Sequence, residues 1–588
     1  MQSTQSLTQL LGRLWLHIIP RRRAQFVLLL GLSVLGSFAE VFSLGIVLPF
    51  IGIITQPERV FDSPLMARIA QSLNITSGAD MVLPLAVAFA VAALAANGLR
   101  LLLLWVGFRV ANATGADIGI EVFRRTLYQP YRVHVARSSS EIIGGITQKV
   151  TLATGVLVSA ANTITSVVLF LAIMTAMIVV DPVVAIVAAV SFGSAYGIIA
   201  KLNRRRLVQN SQCIAKEQTQ VIRSLQEGLG AIRDVLLDGA QAVYCESFSN
   251  AVRPLQRAGS DNSFMVSAPR YMMEALGMML IAALVVILSH RKSDMVAILP
   301  ILGMLAVGSQ RLLPLMQQIY GNWGAMAGSR AALIDVLNLL EQPLPAEVDQ
   351  AEPAPLVLKD TIRFDNVCFH YGNDGPGVLN GINLVIPKGA RIGFVGSTGS
   401  GKSTALDLLM GLLDPTAGEI LVDGRSISSS LKRAWQRTIA HVPQHIFLAD
   451  SSIAENIAFG ISPDKIDYDR VRKAAEQAKI AGFIESRPEG YAAFVGEHGV
   501  RLSGGQRQRI GIARALYKQA SVLIFDEATS ALDNETEQAV MQAIEDLSAD
   551  LTIFMVAHRL TTLKNCTQIV QLSNGTISFC GSYDEMVA

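Results

Sequence analysis

Charged residues are scarce in this chain of 588 residues. They account for 16% of the total, whereas a soluble domain carries about 25%. Hydrophobic residues reach 51%, and the mean hydropathy is +0.41. This composition excludes a disordered chain and indicates that part of the surface faces lipid. Because the formal net charge is only +2, the chain lacks the basic excess typical of nucleic-acid binding, and we expect no nucleic-acid partner.

Cysteine is also rare. None of the cysteines belongs to a CxxC pair or has a histidine at metal-binding spacing. This excludes a small disulfide scaffold and predicts unpaired, reduced thiols in a cytosolic setting. The five residues are Cys213, Cys245, Cys368, Cys566 and Cys580.

Long apolar runs fill the first half of the chain. Crossing a bilayer takes about 20 apolar residues, and six runs are long enough. Lys and Arg cluster in alternate connections, which predicts that both termini are cytoplasmic, with His290, Arg291 and Lys292 as an exception. Residues 63–74 predict either a short amphipathic helix at the outer membrane surface or a polar loop. The spans are expected near residues 26–54, 82–108, 152–180, 183–203, 266–289 and 296–320.

The second half has a different character. Residues 341–355 collect prolines and acids, as a linker does. Beyond them, β-rich runs alternate with helical segments, which predicts an α/β fold with a mainly parallel sheet. The expected architecture is multi-domain: an all-α, six-helix transmembrane domain over residues 1–340, fused through the linker to an α/β P-loop domain over residues 356–588.

A glycine-rich loop between a predicted strand and a predicted helix carries the strongest local signal. The segment GSTGSGKS fits the P-loop pattern, whose backbone N–H groups cradle phosphates. Lys402 is expected to reach the terminal phosphates of ATP, and the Ser403 hydroxyl to bind Mg²⁺. The expected nucleotide-binding residues of this loop are Gly396, Ser397, Thr398, Gly399, Ser400, Gly401, Lys402, Ser403 and Thr404.

Two carboxylates end a later apolar strand, Val522 to Phe525. Asp526 suits the Mg²⁺ shell, and Glu527 suits the polarisation of an attacking water. An isolated Asp-Glu pair is often only a solvated strand end. The buried strand and the upstream glycine loop favour the catalytic interpretation.

The segment LSGGQ, in which Ser503, Gly504, Gly505 and Gln506 precede a helical run, predicts a second anion cradle. Within one domain this cradle has no obvious phosphate to bind. The chemistry makes sense when a second copy supplies the nucleotide, so the motif predicts a homodimer in which each ATP lies between the Lys402 loop of one chain and the Ser503 helix of the other.

Together, GSTGSGKS, LSGGQ and LIFDEATSALD resemble the ATP-binding cassette (ABC) exporters of the half-transporter kind, over almost the whole chain. The resemblance implies that the chain hydrolyses ATP. It also implies that Tyr371 stacks on adenine and that Gln444 senses Mg²⁺ and the membrane domain. By the same resemblance, Asp533 contacts the dimer partner and His558 contacts the γ-phosphate. With Glu527, Gln444 and His558 form the expected catalytic set; Ser403, Gln444 and Asp526 form the expected metal set.

Charges inside the predicted spans are the clues to the cargo, because a buried charge there needs a partner or a water-filled cavity. Arg100, Arg270 and Arg311 are expected at similar depth, where guanidinium groups suit an anionic lipid headgroup or pyrophosphate. Alternatively, Arg270 pairs with Glu274, and the side chains of Arg100 and Arg311 extend to the membrane–water interface. The role of Glu40 stays open.

The membrane half also resembles flippases of lipid-linked oligosaccharides, through AEVFSLGIVLPF and PRYMMEALG. This implies a polyprenyl-pyrophosphate glycan as cargo, moved to the outer leaflet of a bacterial inner membrane. A multidrug, peptide or lipid A type exporter is the alternative within transport. An ATP-gated membrane sensor or channel is the alternative from another class.

Overall fold

The computed structural model describes most of the chain. It divides into two compact units: Met1–Gln129 with His134–Pro345, and Pro130–Val133 with Ala346–Ala588. The described residues are 5–55, 68, 71, 79–180, 182–291, 299–345, 348, 350–372, 375–427, 429–527, 534–545, 550–556 and 563–588.

The first unit is helical. Six of its described helices have 30 residues or more, and shorter ones precede, link or follow them. A π-helical turn, Gly145–Lys149, lies between the fifth and sixth helices. The α-helices are α1 (Leu7–His17), α2 (Pro20–Thr55), α3 (Val82–Leu127), α4 (Tyr131–Ala136), α5 (Ser139–Gly144), α6 (Val150–Val180), α7 (Pro182–Gly230), α8 (Ile232–Leu237), α9 (Gln241–Arg291), α10 (Leu299–Gly328) and α11 (Arg330–Leu340).

Among the residues that the structure describes, three helical segments are long and apolar enough to cross a membrane: Pro20–Ser43, Val82–Leu127 and Ser139–Val179. They include residues 26–43 of the first predicted span, all of the second, and all of the third except residue 180. The division into six spans stays a prediction. At about 1.5 Å per residue, the 49 residues of α7 extend to about 74 Å, well beyond a hydrocarbon core of about 30 Å. The predicted outer-surface helix at residues 63–74 lies outside the described residues, apart from Arg68 and Gln71.

Close helix packing in the first unit depends on small residues. At Gly115 of α3, an added Cβ would lie 2.1 Å from Oγ1 of Thr154 on α6. Farther along α3, Ile118 and Val122 belong to a buried apolar cluster that includes Leu10 of α1 and Leu337 of α11. Burial of these side chains holds the N-terminal helix against the helices that follow.

The second unit contains two sheets. One has six strands in the order β10-β9-β3-β8-β7-β6, and the other has four in the order β2-β1-β4-β5. The strands are β1 (Thr361–His370), β2 (Gly377–Pro387), β3 (Arg391–Val395), β4 (Ala417–Val422), β5 (Arg425–Ser426), β6 (Ile439–Val442), β7 (Val522–Asp526), β8 (Thr552–Val556), β9 (Gln568–Ser573) and β10 (Thr576–Gly581).

The six-stranded sheet confirms the predicted mainly parallel α/β fold. Its strands pair in parallel from β9 through β3, β8 and β7 to β6, with β10 antiparallel at the edge. The four-stranded sheet is antiparallel and was not predicted. Its strands alternate buried and exposed residues, which is a weaker sequence signal than the continuous apolar runs of the parallel strands. Parallel β3 and β7 end at the same sheet edge, which is where the glycine loop and Asp526 follow them.

Short helices surround these sheets, and apolar side chains of two buried clusters pack against the six-stranded sheet. The helices are α12 (Lys402–Leu409), α13 (Ser429–Thr438), α14 (Ile453–Ile457), α15 (Tyr468–Gln477), α16 (Ala481–Glu485), α17 (Gly504–Lys518), α18 (Asn534–Glu545) and α19 (Tyr583–Val587).

Candidate nucleotide-binding site

The glycine loop between β3 and α12 has a backbone that suits a phosphate ligand. Gly396, Gly399 and Gly401 have φ angles of 149°, 82° and 101°, in the range that residues with a Cβ seldom adopt. A Cβ on Gly396 would lie 2.4 Å from the carbonyl oxygen of Leu572. The loop leads directly into the N-terminus of α12, where free backbone N–H groups and the helix dipole favour an anion.

Lys402 and Ser400 are buried polar residues at this helix start. Lys402 is 9% exposed, and its Nζ donates to the carbonyl oxygens of Gly396 at 2.8 Å and Ser397 at 2.9 Å. The hydroxyl of Ser400, which is 3% exposed, makes no hydrogen bond with another residue that the structure describes. An anion with hydrogen-bond acceptor atoms would suit both the buried ammonium and the buried hydroxyl. The loop therefore fits the phosphates of ATP.

Glu527 comes directly after β7 and has a φ of 51°. Such a left-handed conformation costs a non-glycine residue on the order of 1 kcal/mol or more. Its backbone N–H donates to the carbonyl oxygen of Val556 at 3.0 Å, and its Oε2 accepts a hydrogen bond from Nε2 of Gln444 at 2.6 Å. The fold thus brings together two of the three predicted catalytic residues. The third, His558, lies outside the described residues.

The electrostatics beside Lys402 favour a divalent cation. Burial raises the pKa of Asp526, and the Glu527 carboxylate raises it further, while the Lys402 ammonium lowers it. Burial and the charge of Asp526 raise the pKa of Asp407, on α12, to about 6. A cation such as Mg²⁺ would favour the ionised carboxylates. Asp407 was not among the predicted site residues, because nothing in the loop motif indicates a functional carboxylate one turn into the helix.

Tyr371 lies at the end of β1, next to this loop. Its side chain is 48% exposed, and its ring packs edge-on against Phe369 with the ring centroids 4.9 Å apart. Its hydroxyl lies 3.4 Å from Oγ1 of Thr404. The contact places the predicted adenine-stacking ring against the helix that follows the phosphate loop.

Ser503 is the N-cap residue of α17. Its hydroxyl accepts from the backbone N–H of Gln506 at 3.2 Å, and the Gln506 side chain accepts from the backbone N–H of Ser503 at 2.9 Å. This capping box was readable in the sequence as Ser-x-x-Gln. Ser503 is exposed, and Gly504, Gly505 and Gln506 are partly exposed, so the first turn of this helix of 15 residues meets solvent. The predicted dimer-contacting Asp533 lies outside the described residues.

The three membrane arginines differ in their surroundings. Arg270 donates from Nε to Oε1 of Glu274 at 2.9 Å along α9, which is the pairing expected under the structural alternative, and its side chain is 63% exposed. Arg100 lines a small polar cleft in the first unit. Arg311 lies in α10, and its side chain is outside the described part of the structure. The arrangement of the three as a ring stays a prediction.

Comparison with known proteins gives consistent matches. The family model of the ABC transporter matches residues 379–530. The chain is 32% identical over 473 residues to the ATP-dependent lipid A-core flippase of Chromohalobacter salexigens, covering 80% of both chains. It is 31% identical over 497 residues to the protein of the same name from Cupriavidus metallidurans, covering 82% of this chain and 80% of the relative.

A solved structure, that of a bacterial Atm1-family ABC exporter with ATP bound, superimposes with a TM-score of 0.79 at 25% identity, covering 96% of both chains. The similarity between the two structures therefore extends over both the helical half and the α/β half. The phosphate loop, the capped α17 and the carboxylates at the end of β7 follow one another in this order in the α/β half. The chain belongs to the ABC transporter family and is an exporter of the half-transporter architecture, an ATP hydrolase coupled to transport across the membrane.

Proposed function

We propose that this protein is an ATP-driven flippase that moves a lipid A-type phosphoglycolipid from the cytoplasmic to the outer leaflet of a bacterial inner membrane. The observation that carries the proposal is the extent of the similarity to the lipid A-core flippases, which covers about four fifths of both chains. A match of this length includes helices of the first unit, which would contact the cargo. A match to the cassette alone would support only ATP hydrolysis.

The relatives favour the lipid A type of exporter over the lipid-linked oligosaccharide as cargo. The latter interpretation depends on two short apolar motifs, and apolar helices resemble one another easily. Both cargoes share an anionic phosphate head and a long apolar tail. A lipid carrying sugars and phosphate is therefore the chemistry common to both, and the apolar tail distinguishes them: acyl chains in lipid A and a polyprenyl chain in the other.

ATP would bind with its phosphates on the glycine loop and its adenine on Tyr371. Lys402 would neutralise phosphate charge, and the orphan Ser400 hydroxyl would donate to a phosphate oxygen. Ser403, Gln444 and Asp526 would hold Mg²⁺, which neutralises charge that develops on the phosphates. The exposed side chain of Ser403 and the raised pKa of Asp526 support this assignment.

Glu527 would orient the attacking water and accept its proton. The hydrogen bond from Gln444 supports this role, because an N–H donor to one carboxylate oxygen fixes the orientation of the side chain. His558 would contribute at the γ-phosphate. A nucleotide-gated sensor or channel would not require a carboxylate to prepare water.

Two chains would form the working unit, with each ATP held between the Lys402 loop of one chain and the Ser503 helix of the other. The exposed first turn of α17 supports this arrangement, because its dipole and the backbone N–H groups ahead of Gln506 lie where an anion from outside the chain could reach them. Asp533 would contact the partner. Both termini and the cassette would be cytoplasmic.

Transport in reconstituted vesicles tests the proposal. Purified protein in liposomes is supplied with fluorescent lipid A, a fluorescent polyprenyl-pyrophosphate glycan or a fluorescent neutral phospholipid, and movement between leaflets is followed by dithionite quenching. We expect ATP-dependent movement of lipid A. Glu527→Gln should reduce it by about 10²-fold or more, whereas the control Glu476→Gln, on the exposed face of α15, should not change it.

Three results would contradict the proposal. Movement of the polyprenyl glycan without movement of lipid A would restore the oligosaccharide as cargo. Stimulation of ATP hydrolysis only by hydrophobic drugs would favour a multidrug exporter. An ATP-dependent ion conductance that persists in Glu527→Gln, without lipid movement, would favour a gated channel.

A further inference from the structure

A π-helical turn interrupts the long helix that α5 and α6 form together. It comprises Gly145–Lys149, and the chain continues from it directly into α6. Gly145 and Val150 have ordinary helical φ angles of −60° and −62°, so the chain stays helical on both sides of the turn. A π-turn holds one residue more than an α-helical turn and is frequently located at functional sites. The residues of this turn are therefore candidates for a conformational role.

Two neighbouring helices lie directly against the backbone at the start of this turn. A Cβ on Gly144 would lie 2.9 Å from Cδ1 of Ile222 on α7, and a Cβ on Gly145 would lie 3.0 Å from Cδ1 of Leu339 on α11. Both glycines are buried. Because packed interiors transmit displacements, a change of register at these glycines would act on both α7 and α11.

An ion pair anchors the other end of the turn. Nζ of Lys149 donates to Oδ2 of Asp335 on α11 at 2.6 Å, and the Lys149 side chain is only 8% exposed. A buried ammonium is costly without a partner, so the pair fixes Lys149, and with it the start of α6, to α11. Leu333 and Val336, beside Asp335 on α11, are completely buried, so α11 is itself held in the core.

Two buried amide oxygens near the turn lack a hydrogen-bond donor. Oε1 of Gln148, in the turn, and Oε1 of Gln218, on α7, make no hydrogen bond with any residue that the structure describes. Since α6 and α7 run antiparallel and Gly144 lies against Ile222, residues four positions beyond Gly144 and four before Ile222 lie at the same level, and these are Gln148 and Gln218. A buried acceptor without a donor is destabilising, so this register leaves the helix pair incompletely satisfied.

Conversion of the turn to an α-helix would shift the register of α5 by one residue. With α6 held by the ion pair, α5 would rotate by about 100° and move by about 1.5 Å along the helix axis. Gly145 would then take the place of Gly144 against α7. Because both residues lack a Cβ, α7 could keep its close approach in either register. The conversion would also re-aim the side chains of the turn, Gln148 among them.

The chain that precedes α5 passes between the two compact units. Pro130–Val133 belong to the second unit, and the chain from His134 onward belongs to the helical unit. Only a short length of chain separates these residues from Ser139, where α5 begins. A displacement of Pro130–Val133 during ATP binding and hydrolysis would therefore act on α5 and on the turn that follows it.

We propose that the π-turn is a register switch of the exporter: it is π-helical at one stage of the ATP cycle and α-helical at another, and the Lys149–Asp335 ion pair anchors α6 so that α5 rotates. The switch goes beyond the proposed function and does not depend on the identity of the cargo. It differs from movement of an intact helix, because a rigid helix keeps all of its internal distances. A register switch changes the distance between α5 and α6.

Distances measured within this helix test the switch. Full-length protein with its native cysteines replaced by alanine carries spin labels at Ser139→Cys and Thr151→Cys, exposed positions twelve residues apart on either side of the turn. Double electron–electron resonance is recorded without nucleotide and, in the Glu527→Gln background, with ATP bound. An all-α segment of this length rises about 18 Å with its ends about 120° apart, whereas a π-turn shortens the rise to about 16.5 Å and places the ends on nearly the same face. We expect the label distance to differ by about 4 Å between the two states.

An α-helix of the same unit provides the matched reference. Labels at Arg204→Cys and Lys216→Cys, also exposed and twelve residues apart, both lie within α7 and should give the α-helical distance in both states. The Ser139–Thr151 distance should equal this reference in one state and be shorter in the other. A Ser139–Thr151 distance that is the same with and without ATP would overturn the proposal.

Deletion of Thr147, an exposed residue of the turn, removes the extra residue and with it the ability to switch. The Ser139–Thr151 distance should then stay short in both states, and ATP hydrolysis should fall by about fivefold or more, as when two coupled sites are disconnected. Thr147→Ala, which keeps the chain length, should behave as wild type. Unchanged hydrolysis in the deletion variant would show that the turn is a static feature and would overturn its role in the cycle.

The anchoring role of the ion pair is tested separately. Asp335→Asn leaves the buried Lys149 ammonium without its partner and should broaden the Ser139–Thr151 distance distribution, whereas the exchange Lys149→Asp with Asp335→Lys should narrow it again. Arg223→Gln, which removes the exposed ion pair with Glu227 on α7, is the control and should have no effect. An unchanged distribution in Asp335→Asn, or equal broadening in Arg223→Gln, would contradict the anchor.

Discussion

Glu527 shows how a single residue can be held in an unfavourable conformation at a functional site. Its φ of 51° is stabilised from two sides, by the backbone hydrogen bond to Val556 and by the side-chain hydrogen bond from Gln444. Strain of this kind persists only where the surroundings determine the conformation. The Asp-Glu pair in the sequence does not predict the positive φ of Glu527, because this angle depends on contacts with β8 and with the segment after β6.

Asp407 provides a prediction at the same scale. Burial and the charge of Asp526 raise its pKa to about 6, so the folded protein binds this proton more tightly than the unfolded chain does. Stability is therefore lost as the pH rises from about 4 through 6. Asp407→Asn should stabilise the nucleotide-binding domain by about 1 kcal/mol at pH 8, allowing for partial solvent exposure, and by little at pH 4. Calorimetric unfolding at the two pH values measures this.

Asp423 serves as a control of opposite sign. Burial opposes its ionisation, but hydrogen bonds from the backbone N–H groups of Lys359, Thr361 and Asp360 outweigh burial and lower its pKa. Asp423→Asn should therefore destabilise the domain at pH 8 and have less effect in acid, below the pKa of the unfolded chain. An equal change in the free energy of unfolding of both variants at both pH values would show that neither carboxylate has the pKa shift described.

At the scale of elements, the contact between α3 and α6 depends on Gly115. A Cβ there would lie 2.1 Å from Oγ1 and 2.5 Å from Cγ2 of Thr154, distances that require the helices to move apart. Gly115→Ala should destabilise the helical unit by about 1–3 kcal/mol, as other overpacked interiors do. The measurement is the melting temperature of the purified protein in detergent.

Gly119, one turn along the same helix, is the matched control. A Cβ at Gly119 meets its nearest atom, Cγ1 of Val150, at an ordinary 3.5 Å, so Gly119→Ala should be tolerated. Adding Thr154→Ala to Gly115→Ala should restore part of the stability, because it removes Oγ1 and Cγ2 but leaves the Thr154 Cβ at 2.8 Å. Identical melting temperatures for the two glycine variants would refute the close approach.

At the scale of the whole molecule, the proposed dimer predicts complementation between two inactive variants. Lys402→Ala and Ser503→Arg should each abolish ATP hydrolysis, because each damages both composite sites of its own homodimer. A mixed dimer carries both defects in one site and leaves the other intact. Random mixing makes half of the dimers mixed, so about a quarter of all sites should be active. Phosphate release from the co-expressed, unselected mixture of dimers measures this.

Sites contained within one chain would give no such recovery, because every site in the mixture would still be damaged. A mixture of wild-type and Lys402→Ala chains provides the reference rate of ATP hydrolysis for a preparation in which only some of the sites are active. Recovery above that reference would point to contaminating wild-type chains and not to composite sites, because no pairing of the two variants restores both sites.

The sequence by itself determined the fold class, the family and the order of the nucleotide motifs. A P-loop acts through backbone groups and a few adjacent side chains, so Gly396 to Ser403 is legible as a continuous string. The apolar runs were equally legible, since spanning a bilayer is a property of one segment. In both cases the chemistry depends on residues close together in the chain.

Only the tertiary structure decided which distant residues meet. Gln444 reaches Glu527 because β6 and β7 are paired in one sheet. Asp407 is perturbed because α12 starts at the edge where β7 ends. Arg100, Ser166 and Gln318 belong to three helices far apart in the sequence, and a lone polar residue in an apolar run has no sequence signal of its partners. Such contacts depend on helix rotation and packing, which arise from the whole core and not from any one segment.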